Sequence, residues 1–109
     1  MRRRDSEDAD TLRSLFQLAL EIDKAELSPK SLIVLAFLAL QPSGEADYAE
    51  VRDTCGLSGP QTTRTSDSLI EANLVTRHVL GEDRRKTRLK LSTKGRNVIE
   101  RIIQATHLG

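Results

Sequence analysis

A chain of 109 residues with 38% hydrophobic and 30% charged side chains suits one folded domain and excludes a disordered or fibrous polymer. Aromatics make up only 3%, too few for the stacking platforms that bind single-stranded nucleic acid. The net charge of +1 hides a division: residues 1–76 carry eight Lys/Arg against thirteen Asp/Glu, net −5, and residues 77–109 carry nine against three, net +6. A single cysteine, Cys55, rules out an internal disulfide and points to a reducing cytoplasm. The longest apolar run, Leu32 to Leu40, is too short to span a bilayer. Met1-Arg2-Arg3-Arg4 is followed by acids, so no signal peptide is read and no membrane is expected as a partner.

In chain order, residues 1–5 read as a flexible tail. Ser6 then caps a first helix, with Glu7, Asp8 and Asp10 near its positive end. Leu12, Leu15, Phe16, Ala19 and Ile22 follow at helical spacing, and Leu18 and Leu20 widen the stripe beyond one face. That excess predicts burial against more than one neighbour, including a second subunit. Ser28 and Pro29 open a second helix that is apolar almost all round, as a central core helix is, and Gln41-Pro42-Ser43-Gly44 stops it. Asp47 caps a short third helix with Tyr48, Val51 and Cys55 facing inward; Gly56 ends it in a left-handed conformation.

Ser58 caps the fourth helix, with Gly59-Pro60 in its first turn. Leu69 and Ile70 anchor its far half, and Asn73 stands where a left-handed cap is wanted. The tight connection from Cys55 to Pro60 is the turn of a helix-turn-helix. A first strand is marked by Leu74, Val75, Val79 and Leu80. A second has Leu89 and Leu91 alternating with Arg88, Lys90 and Ser92. Between them, residues 81–86 form a charged hairpin tip. Thr93-Lys94-Gly95 leads into a last helix with the stripe Val98, Ile99, Ile102 and Ile103. The predicted fold is mainly α with a small β-hairpin: a winged helix-turn-helix of four helices, strand, wing, strand and a fifth helix. It is a single domain over 1–109, with residues 47–95 forming the helix-turn-helix and wing.

A polar helix beside a basic two-stranded ribbon fits a DNA groove and its flanking phosphates. Ser58, Gln61, Thr62, Thr63 and Arg64 lie in the first turns of the fourth helix, where such helices meet base edges. Arginine grips guanine O6 and N7, and glutamine pairs with adenine. The alternative for Arg64 is a surface ion pair with Asp67 or Asp83. Arg77, at the base of the wing, is expected to be a further DNA contact. Arg84, Arg85, Lys86 and Arg88 suit a narrow minor groove, and they would also blunt a bare sheet edge. Asp83 orients one of these arginines or simply forms the turn. Cys55 reads as a buried small apolar residue before a redox switch. His78 and His107 lie far apart, and no Cys/His/Asp cluster has metal spacing. No nucleophile–base motif, P-loop or GxGxxG is present, so neither catalysis nor a cofactor is expected.

The segment from Leu57 to Gly95 resembles the MarR-type winged-helix transcriptional regulators. The resemblance rests on Leu57-Ser58, Thr63-Arg64, Asp67, Leu69, Leu74-Val75, Arg77, Asp83-Arg84-Arg85, Leu91-Ser92 and Gly95, in order and at the family's spacing. It implies a dimeric, cytoplasmic, nucleoid-associated regulator of transcription, usually a repressor. Its fourth helix would enter the major groove of duplex DNA and its wing the adjacent minor groove. The chain departs from the family where Thr62, Thr65 and Ser66 replace apolar core positions, and it is shorter at the C-terminal end, where the family builds much of its dimer interface. A homodimer through the first and last helices is still expected; the short C-terminus argues against a small-molecule effector. Two other readings stay open: a plasmid, phage or archaeal DNA-binding protein for replication, partition or excision, and a winged-helix protein-interaction module.

Overall fold

The computed structural model describes residues 3–79 and 87–106. It contains α1 (Arg3–Lys24), α2 (Pro29–Leu40), β1 (Glu45–Asp47), α3 (Tyr48–Thr54), α4 (Gly59–Glu71), β2 (Val75–Val79), β3 (Thr87–Leu91) and α5 (Thr93–Thr106). Helix α1 opens at Arg3, so the serine read as its cap, Ser6, lies inside the helix, and residues 3–5 of the expected tail are helical. The acids at its start suit a helix dipole wherever within the first turns they fall, which is why they did not fix the boundary.

Three helices end the same way. Glu26, Gly56 and Asn73 have positive φ of 57°, 67° and 62°. In each case the next residue is a leucine whose N–H reaches back into the last turn: Leu27 to Ile22 O at 3.3 Å, Leu57 to Arg52 O at 2.9 Å, Leu74 to Leu69 O at 2.9 Å. This is the left-handed helix stop with an apolar residue following it, and all three leucines pack on the core. The cap at Gly56 and the one at Asn73 are the ones read from sequence. Glu26 gives no such signal, because glutamate has no preference for that conformation.

The sheet is antiparallel with three strands in the order β1-β3-β2, one more than the expected hairpin. Its extra member, Glu45–Asp47, pairs with Arg88–Lys90 of β3. Three residues after a glycine, the last of them the helix cap Asp47, are too few to show a period of two, so the strand exists through tertiary pairing alone. Val75 faces Leu91 and Arg77 faces Leu89 on the helix side; Thr76 and His78 face Lys90 and Arg88 on the outer side.

The core sits between α2, α4, α5 and the inner face of the sheet, with Val34, Leu35, Leu38, Val51, Leu69, Val75 and Leu89 essentially inaccessible. Each such side chain contributes roughly 1.5–3 kcal/mol of burial. Helix α1 packs mainly on α5, and only its Leu18 and Ile22, with Ala25 just past its end, reach the core. Leu12, Leu15 and Phe16 stay more than half exposed, and so, in part, do Leu20 and Ile103. The wide stripe read on the first helix is therefore largely uncovered in one copy of the chain.

The junction of β3 and α5 is held by Ser92. Its hydroxyl donates to Asn73 O at 2.6 Å and accepts from Gly95 N–H at 2.9 Å, while its own N–H donates to Leu74 O at 3.1 Å. Gly95 is required here because a Cβ would overlap the Leu74 carbonyl oxygen. Gly95→Ala should therefore lower stability by about 1–3 kcal/mol in urea unfolding, as overpacking against backbone does. Ser66 gives the opposite case. It is fully buried on α4 and its Oγ has no hydrogen-bond partner among the described residues. Ser66→Ala removes an unsatisfied hydroxyl at almost no loss of volume and should raise stability by about 1 kcal/mol in the same assay.

Candidate nucleic-acid interface

Helix α4 begins with a reciprocal cap. The Ser58 hydroxyl oxygen accepts from Gln61 N–H at 3.2 Å, and Gln61 Oε1 accepts from Ser58 N–H at 3.0 Å. Both residues named as candidate contacts thus have an oxygen engaged in starting the helix. The Gln61 Nε2 protons have no partner among the described residues. Pro60 follows in the first turn, where its missing N–H costs no helical bond.

Of the four residues 61–64, Thr63 and Arg64 are exposed, Gln61 is half-buried and Thr62 is buried. Thr62 is corrected here as a contact: it is only 1% exposed, and its hydroxyl donates to Ser58 O at 2.8 Å. Helical geometry forces this outcome, because Thr62, Thr65, Ser66 and Leu69 form the single face that meets the core. Thr63 is exposed and donates its hydroxyl to Gly59 O at 3.2 Å. Arg64 makes no hydrogen bond or ion pair among the described residues.

The expected alternative for Arg64, a pair with Asp67, does not form. Asp67 Oδ1 instead accepts from Arg77 at 2.6 Å, from one strand into the neighbouring helix. The Arg77 guanidinium also lies 6.0 Å from the centre of the Tyr48 ring at the start of α3. Its pKa is raised, first by the hydrogen bond to Asp67. Three elements therefore meet at Arg77, and the face of α4 that carries Arg64 and Asp67 is turned toward β2. The sequence places Asp67 beside Arg64 and Tyr48 in the interior, and gives neither as a partner of Arg77. The available signal was the spacing of Arg64 and Asp67, which puts both on one side of a helix.

On the outer face of the wing Arg88 is drawn to Glu45, with 3.0 Å between Nη1 and Oε1. The sequence offers Arg88 for a minor groove or for blunting a sheet edge; the unforeseen strand β1 supplies an acid that pairs with it. Lys90, two residues on, is exposed and opposite Thr76. His78 is a surface strand residue whose Nε2 lies 3.0 Å from Thr76 Oγ1. Arg84, Arg85 and Lys86, together with Leu80, Asp83 and His107, lie outside the described residues. Cys55 is half-buried against the core, and burial pushes its thiol pKa up, as for a packed residue and opposite to an activated thiolate.

No group of three or more His, Cys, Asp or Glu side chains that could hold a metal ion occurs among the described residues. Nor is any described helix long and apolar enough to cross a membrane.

No family model matches the chain. Solved structures do. Sco5413, a MarR family transcriptional regulator from Streptomyces coelicolor, superposes with a TM-score of 0.69 at 20% identity, over 93% of this chain and 69% of that one. The MepR–DNA complex of S. aureus gives 0.75 at 16% identity, over 94% and 79%. NadR in complex with 4-hydroxyphenylacetate gives 0.72 at 22% identity, over 94% and 68%. The chain has the MarR-type winged-helix fold. Expectation and structure agree on the helix order, the turn before α4 and the wing after it; the third strand is the addition.

In this winged helix a cleft of about 410 Å³ lies between the end of α1 and the helices α2, α4 and α5. Leu27, Leu69, Leu74 and Val98 line its floor, with Lys24, Lys94, Arg101, Glu21 and Glu26 among its walls. One neighbour of the same fold holds a small phenolic acid, so the expectation against an effector gains no support from the comparison.

Proposed function

We propose that the chain is a sequence-specific regulator of transcription of the MarR type that binds duplex DNA as a homodimer, most simply as a repressor. The observation that carries this reading is the exposed Thr63–Arg64 turn of α4, on the side that faces β2, with Arg64 unpaired among the described residues. Arginine at that place in a recognition helix reads guanine, and the Thr63 methyl suits the thymine methyl. Gln61 Nε2 and the Ser58 hydroxyl stand beside them for a base edge or a phosphate. The residues 84–86 at the wing tip supply the cations for the adjacent minor groove, and Lys90 extends that charge along β3. A neighbour of the same fold is bound to DNA.

Dimerisation is supported by the uncovered apolar stripe of α1, together with the exposed Ile103 on α5, the helix against which α1 packs. Under a two-fold dimer the two recognition helices read half-sites about one helical turn apart, which means a palindrome.

Selection of bound duplexes from a random pool, followed by titration at rising salt, tests the proposal. It predicts one enriched palindrome and an affinity that falls steeply with salt, by a slope of about −0.9 per neutralised phosphate. Arg64→Ala should cost about 1–3 kcal/mol on the selected site and almost nothing on unrelated duplex. Enrichment of no sequence, or equal loss on both duplexes, contradicts it. A second prediction concerns assembly. Phe16→Glu places a charge on the exposed stripe without touching the core, so light scattering should move from a dimer to a monomer mass while the helical signal is kept. Unchanged mass would remove the dimer from the reading.

A further inference from the structure

The position of Arg77 poses a question that the recognition reading alone leaves open. Asp67 lies three residues after Arg64 on α4, so the two side chains are neighbours on the helix surface, at the spacing where acid and base pair readily. Both are exposed. Yet Arg64 has no partner among the described residues, while Asp67 is bound at 2.6 Å to Arg77 from β2. Arg77 is in turn steadied by the Tyr48 ring. An acid on a face that approaches phosphates would otherwise do two things: repel the duplex and capture the only cation on the outer face of the helix.

We infer that Arg77 is a positioning residue, which occupies the Asp67 carboxylate and so keeps Arg64 unpaired and available to a base edge. Arg77 then acts without touching DNA. Its removal hands Asp67 to Arg64, and the loss of binding that follows is caused by the acid, not by a missing phosphate contact. The inference rests on the recognition role proposed for Arg64, and it differs from the sequence expectation for Arg77, which was a direct DNA contact.

The distinguishing experiment is a double-mutant cycle on the full chain. Titrations on the selected duplex compare wild type, Arg77→Gln, Asp67→Asn and the double variant, each at several salt concentrations and each checked for an unchanged circular dichroism spectrum. Arg77→Gln should weaken specific binding on the order of tenfold, within the range of one lost arginine–guanine contact. Asp67→Asn should bind as wild type or tighter. The double variant should recover most of the loss, and the salt slope should stay the same throughout. A double variant as weak as Arg77→Gln, with a slope reduced by about one, would show that Arg77 contacts a phosphate and would overturn the inference. So would a double variant that stays weak at an unchanged slope, which is the mark of a purely structural pair.

A second readout needs no DNA and so separates this inference from the function on which it rests. In 15N-edited spectra the Arg64 Nε–H signal should sharpen and exchange more slowly with water in Arg77→Gln, and return to its wild-type behaviour in the double variant. An Arg64 signal indifferent to Arg77 overturns the inference even where duplex binding is intact. A wild-type chain that binds no duplex defeats the function and leaves this spectral result to stand or fall alone.

Discussion

The Ser92 hydroxyl joins two parts of the chain that are nineteen residues apart, the end of α4 and the start of α5. It accepts a backbone proton from Gly95 and donates one of its own to the carbonyl of Asn73. Asn73 is the left-handed stop of α4, and Leu74 and Val75 run directly from it into β2. One serine therefore fixes where the helix ends, where the wing begins and where the wing's return strand hands over to the last helix. Lys94 adds a bond from its Nζ to Ala72 O at 3.1 Å on the same junction. The angle between α4 and β2 is constrained here by the short connection through residues 72–74 and these hydrogen bonds, and again by the Arg77–Asp67 pair. Gly95 follows from the closeness of that packing: the helix backbone sits against the Leu74 carbonyl with no room for a side chain.

Helix α4 is unusual in what it buries. Its inward face is Thr62, Thr65, Ser66 and Leu69, so three of four core positions carry hydroxyls. Thr62 satisfies its own by donating to Ser58 O one turn back. Ser66 does not. Little apolar area anchors the N-terminal half of the helix, and the capping box at Ser58 and Gln61 takes on more of the work of fixing its start. Small buried side chains also permit close approach, which brings α4 near α2 and α3 without the aliphatic packing that usually fills such a gap. This helix leans on its capped start and on its second half, where Leu69 is buried and Ile70 packs partly buried against the core.

How much of this is legible in the sequence depends on whether the cause is local. Ser28, Asp47 and Ser58 announce helix starts because capping is a property of the residue and its next three neighbours. Gly56 and Asn73 announce stops for the same kind of reason. Strand β1 and the left-handed Glu26 are not legible, since each is imposed by pairing or packing from elsewhere in the fold. The candidate site divides along the same line. The outward direction of Arg64 and the inward direction of Thr62 follow from helical period, and Thr62 could not serve both the core and a contact surface. The partners of Arg77 and Arg88 are acids forty-three residues away in one case and on another element in both, which no local pattern reveals.

Those two pairs change the meaning of the basic C-terminal third. A surplus of cations after residue 76 looks like a phosphate-binding stripe when counted along the chain. In the fold Arg77 is matched by Asp67 and Arg88 by Glu45, both acids from the net-negative part of the sequence. Pairs of this kind on the surface add little to stability, on the order of 0–1 kcal/mol. Their larger effect is on the field: a paired arginine attracts a phosphate far less than a free one at the same distance. Arg64 on α4 and Lys90 on the outer side of β3 are the cations of α4 and the wing without an ion-pair partner among the described residues. Under the proposed function the balance between general affinity and base recognition leans toward recognition here, with Arg64 as the single strong reader.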